Sequence, residues 1–66
     1  MPDGTARKVS DLLARERLAA ETMSAHEQVS HDSSKSVEER TIANGLAAVE
    51  RERIAQIRAD LATLVR

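Results

Sequence analysis

The stretch Ile54-Ala55-Gln56-Ile57-Arg58-Ala59-Asp60-Leu61-Ala62-Thr63-Leu64 decides the fold. Its large apolar residues Ile54, Ile57, Leu61 and Leu64 fall three, four and three positions apart, with charged or small residues between them. On an α-helix that spacing draws one apolar stripe, the seam of a coiled coil, which must be buried against other helices. The chain has 66 residues and no aromatic side chain, so it holds few large groups of its own to cover the stripe. The seam therefore points beyond the chain, to a partner.

Upstream of the seam, Ser36-Val37-Glu38-Glu39 is a Ser-x-x-Glu capping box, in which hydroxyl and carboxylate each satisfy a backbone N–H at a helix start. It follows His31-Asp32-Ser33-Ser34-Lys35, the polar, turn-rich stretch of the interior. A second helix is expected from about Val37 to Val65, roughly 43 Å long. Before the turn, Ala6 to Ser30 contains neither Gly nor Pro and is rich in helix formers. That predicts a first helix of similar length, preceded by a short disordered lead over 1–5. Two such helices with a short connection make an antiparallel hairpin, a single all-α domain over 6–66. One continuous helix through the turn is the alternative, disfavoured because Ser and Asp cap helices better than they extend them.

Helix 1 is the poorer amphipath. Val9, Leu12, Leu13, Ala19, Ala20 and Met23 share a broad face with Glu16 in its middle, while Leu18, Ala25 and Val29 lie opposite. In helix 2, Ile42, Leu46 and Val49 form a stripe offset from the one at Ile54 to Leu64, which reads as a stutter. Asn44-Gly45 falls in the same region. An interior Gly costs about 1 kcal/mol relative to Ala, so a helix break, a close crossing and a tolerated exposed Gly are all open readings.

Eleven of the apolar residues are Ala, and there is no Cys. Small scaffolds without disulfides or metal are usually stabilised by oligomerisation. The formal charge is −1, with ten basic and eleven acidic residues interleaved along the chain. Arg7, Lys8, Arg15 and Arg17 alternate with Asp11, Glu16 and Glu21, and Arg51, Arg53 and Arg58 alternate with Glu50, Glu52 and Asp60. Such alternation marks a salt-bridged surface and argues against a polyanion partner. No apolar run is long enough to span a membrane and the first residues show neither the apolar h-region nor the cleavage site of a secretory signal, so a cytoplasmic location is expected. The Arg and Ala bias fits a bacterial or phage chain.

Candidate chemistry is sparse. His26-Glu27-Gln28-Val29-Ser30-His31 has one residue too many for a His-Glu-x-x-His zinc motif. Positions i and i+5 diverge by about 140° on a helix, so one ion cannot join them. There is no nucleophilic Cys and no Gly-rich phosphate loop, and Ser33, Ser34 and Ser36 are accounted for by capping. A lone Glu16 on an apolar face belongs at a seam edge or opposite an Arg. We expect no catalytic residue, metal or cofactor.

The architecture resembles that of small two-helix plasmid and phage regulators and type III secretion co-chaperones; no motif is shared, so the likeness carries no activity. The expected function is that of a non-catalytic helical interaction protein: a homo-oligomerising regulator, adaptor or chaperone. The hairpin is expected to pair with its own copy, a dimer being favoured, in a four-helix bundle or coiled-coil assembly, and to bind a larger protein. The expected interface is Leu13, Met23, Ile42, Leu46, Val49, Ile54, Ile57, Leu61 and Leu64. The alternatives are a small accessory subunit docked on an enzyme or secretion component and, behind it, a nucleic-acid-binding regulator using the interleaved Arg clusters.

Overall fold

A computed structural model describes residues 3–64. Two helices of 28 residues, α1 (Asp3–Ser30) and α2 (Val37–Leu64), pack against each other as a hairpin, with no strand among the described residues. Helix α1 starts at Asp3, ahead of the expected Ala6. Gly4 sits in its first turn, where it interrupts no long run of helix. Val65, the expected end of the second helix, lies outside the described residues.

The connection over 31–36 is held by short-range polar bonds. Helix α1 closes with the Ser30 hydroxyl donating to the Glu27 carbonyl at 2.7 Å and the Asp32 N–H donating to the Val29 carbonyl at 3.1 Å. The Asp32 carboxylate then accepts from the Ser34 N–H at 2.9 Å and from its hydroxyl at 2.6 Å. These two bonds hold the Asp32 carboxyl below the usual carboxylate range, because both stabilise the ionised form. No described residue takes a positive φ, so the reversal needs no glycine. Helix α2 opens on the capping box: the Glu39 N–H donates to the Ser36 hydroxyl at 3.1 Å, and the Ser36 N–H lies 3.5 Å from the Glu39 carboxylate.

The helices meet along one 3-4 seam that never changes phase. On α1 it runs Val9, Leu12, Glu16, Ala19, Met23, His26 and Ser30; on α2 it runs Arg40, Ala43, Ala47, Glu50, Ile54, Ile57, Leu61 and Leu64. All fifteen are buried or half-buried. Antiparallel order is plain from both ends. Leu64 lies beside Lys8 and Asp11, and Ile42 lies beside Val29.

The expected stutter is thus absent. The four residues from Ile54 to Leu64 do make a seam, and Ala43, Ala47 and Glu50 continue it, not Ile42, Leu46 and Val49. Gly45 does not break α2, and a Cβ built on it meets nothing within 4 Å. It is a tolerated glycine on an exposed face.

The hairpin is thin. It measures 52 × 14 × 11 Å, with a radius of gyration of 15.3 Å where a compact chain of this length has about 11 Å. Ile54 and Ile57 are the only large apolar side chains buried among the described residues; Ala19, Ala43 and Ala47 supply the rest of the apolar core.

Candidate protein interface

The seam leaves two sides of the hairpin open, and they differ. On one side lie the residues one step before each seam position. In α1 these include Leu18, Thr22, Ala25 and Val29; in α2 they are Glu39, Ile42, Leu46, Val49, Arg53, Gln56, Asp60 and Thr63. In an antiparallel pair such equivalent flanks fall on the same side, and two grooves document it. One brings Val29 and His26 against Glu39, Ile42 and Leu46. The other, about 520 Å³, brings Leu18 and Thr22 against Glu50, Arg53 and Gln56.

This side carries four of the six large apolar side chains exposed among the described residues, Leu13 and Val37 being the other two. Leu18 is 65% exposed, Ile42 64%, Val49 52% and Leu46 44%. The reason lies in the phase of α2. Once Ile54 and Ile57 are locked into the hairpin, a rigid helix carries Ala43, Ala47 and Glu50 to the inside, and their larger neighbours Ile42, Leu46 and Val49 turn outward.

The expected interface residues are therefore divided by the fold. Ile54 and Ile57 are buried between the two helices of one chain, and Met23, Leu61 and Leu64 are half-buried in the same seam. Ile42, Leu46 and Val49 form the open stripe. Leu13 is exposed on the opposite side, beside Val9 and Arg17. Glu39, Arg53, Leu18 and Val29 were missing from the expected set. A signal for them exists in Glu39-x-x-Ile42-x-x-x-Leu46-x-x-Val49-x-x-x-Arg53, an unbroken 3-4 repeat bounded by opposite charges.

Two carboxylates enter the seam, each beside an Arg. The Glu16 carboxylate accepts from Arg58 Nε at 2.8 Å across the hairpin, on the opposite side. Glu50 is 9% exposed, with Oε1 at 3.3 Å from Arg53 Nη1, while its Oε2 is buried and makes no hydrogen bond. A buried carboxylate oxygen without a donor is costly, so the groove beside Glu50 is a polar point next to the apolar stripe.

The histidines are separated. His26 is half-buried beside Ala43 and Leu46, whereas His31 is exposed in the connection. Among the described residues no three His, Cys, Asp or Glu side chains converge, and no helix is long and apolar enough to cross a membrane. No family model, curated protein or solved structure matches the chain.

Proposed function

We propose that this chain is a small, non-catalytic, cytoplasmic interaction protein, a regulator, adaptor or chaperone, whose working form is a pair of hairpins joined through the side that bears Leu18, Ile42, Leu46 and Val49. The observation that carries this is the inversion in α2, where Ala43 and Ala47 fill the seam while larger residues face outward. Small seam residues let the two helices approach closely, and the neighbouring large residues then form a broad two-helix surface. Area supports the same reading. A compact monomer of 7.2 kDa exposes about 4,100 Å², whereas this hairpin exposes 5130 Å². The excess, roughly 1,000 Å², is close to the ~800 Å² that each partner contributes to a stable interface.

Sedimentation equilibrium across the micromolar range tests the proposal. The native chain is expected at twice its own mass, and a chain carrying Ile42→Gln and Leu46→Gln at the single mass with its helical circular dichroism retained. A native chain that stays monomeric and fully helical throughout would end the reading.

One observation favours a second reading, docking on a larger protein as an accessory subunit. Leu18 and Val29 lend apolar surface from α1 to the open side, so the face is wider than one helix stripe. The mass of the complex recovered gently from its own cells separates the two: a homogeneous homo-oligomer rules out the subunit, and one copy of this chain per large partner rules out the homodimer. Direct nucleic-acid binding has less support, because the Arg clusters are interleaved with carboxylates along the chain, and Arg53 and Arg58 each lie against one.

A further inference from the structure

The open stripe on α2 is self-complementary in one direction. Leu46 sits at its middle, Ile42 and Val49 flank it, and Glu39 and Arg53 stand seven residues to either side, about 10.5 Å each way along the helix. Both end residues are exposed, and Glu39 borders the same groove as Ile42 and Leu46.

We propose that the second copy docks antiparallel on this stripe, about a two-fold axis that crosses α2 near Leu46, so that each Glu39 meets Arg53 of the other copy. The inference rests on the self-association proposed above and adds its orientation. Charge selects the direction. A two-fold axis running along the helices would set Glu39 beside Glu39 and Arg53 beside Arg53, whereas the perpendicular axis makes two Glu–Arg pairs and places Ile42 of one copy near Val49 of the other. A C2 interface requires such reciprocity, and like charges at its ends would disfavour the wrong orientation.

The groove beside Glu50 fits the same arrangement. Arg53 already reaches Glu50 Oε1 through one nitrogen, and a guanidinium carries five N–H donors. It can hold Glu50 of its own chain and Glu39 of the second copy together. The intrachain contact of Glu39 to the Ser36 N–H is long, at 3.5 Å, and competes weakly.

Charge exchange between the two positions tests the orientation. Glu39→Arg alone and Arg53→Glu alone each set like charges at both ends of the homodimer, and each is expected to weaken self-association on the order of tenfold at low salt. Mixed together, the two variant chains regain both opposite-charge pairs, so native mass spectrometry is expected to show mainly the 1:1 heterodimer. The double variant, Glu39→Arg with Arg53→Glu, is expected to dimerise like the native chain. Loss of the helix cap or of the Glu50 contact would not be restored by mixing, so the rescue reads charge pairing and not the fold; the orientation is read by the single variants, because a parallel native pair already sets like charges together and would lose nothing. If both single variants self-associate as tightly as the native chain, or the mixture distributes statistically, the antiparallel docking is overturned while self-association stands. If the native chain itself is monomeric across the micromolar range, the self-association reading falls, and the docking with it.

Discussion

The two halves of the hairpin use the same heptad spacing to opposite ends. Toward the termini, Leu12, Ile54, Ile57, Leu61 and Leu64 turn their bulk into the seam. Toward the connection, the seam is built from Ala43, Ala47, His26 and Ser30, while Ile42, Leu46 and Val49 point away from it. The contrast shows that apolar periodicity identifies a helix face without saying what covers it. One half closes the chain on itself; the other leaves an apolar face uncovered.

The sharpest way to break this contrast is to truncate the same residue type in each half. Ile57→Ala removes one of the two large side chains buried in the hairpin and is expected to cost about 3 kcal/mol, read as a lower urea midpoint at every chain concentration. Ile42→Ala removes an exposed side chain and is expected to leave the dilute hairpin within about 0.5 kcal/mol of native stability. Its effect should emerge only as concentration rises, when the native chain gains stability by association. Equal costs for both variants at low concentration would mean that the halves are not divided as described.

A smaller effect comes from Gly45. An added Cβ meets nothing within 4 Å, and the glycine is helical, so Gly45→Ala is expected to stabilise α2 by about 1 kcal/mol. It borders the open stripe, three residues after Ile42 and four before Val49, and a single added methyl at that edge is expected to leave association unchanged. A variant that gains stability yet loses the dimer would place Gly45 in the interface and redraw the face.

The smallest effect concerns the connection. The Asp32 carboxyl is held below its ordinary range by Ser34, so its contribution is present above the ordinary carboxylate pKa and is lost as pH falls through that range, below about pH 4, toward the lowered folded value. Asp32→Asn is expected to remove that part of the acid sensitivity. Urea midpoints compared between about pH 5 and pH 2 check it; identical pH profiles for the two chains would show that the Asp32–Ser34 bonds contribute nothing to the turn.

Much of the fold was legible in the chain because it rests on local chemistry. The hairpin reversal follows from His31 to Lys35, and the start of α2 follows from Ser36 and Glu39, whose capping contacts span only a few residues. Glu16 opposite an Arg was also readable in kind, though nothing local names Arg58 as that Arg. The open face was harder to see. Ile42-Leu46-Val49 and Ala43-Ala47-Glu50 both satisfy 3-4 spacing, and residue size favours burying the former, which is how a stutter comes to be expected. Phase propagates instead along an unbroken helix from Ile54 and Ile57, where the packing is strongest, and it carries the smaller set inward.

Composition and periodicity thus suffice for two helices, their caps and the turn, since each depends on neighbours within about one helical turn. Which stripe of α2 lies inside, and so which residues stay uncovered, is set by the packing of Ile54 and Ile57 against α1. That is a contact between residues far apart in sequence, such as Glu16 and Arg58, and no local pattern encodes it.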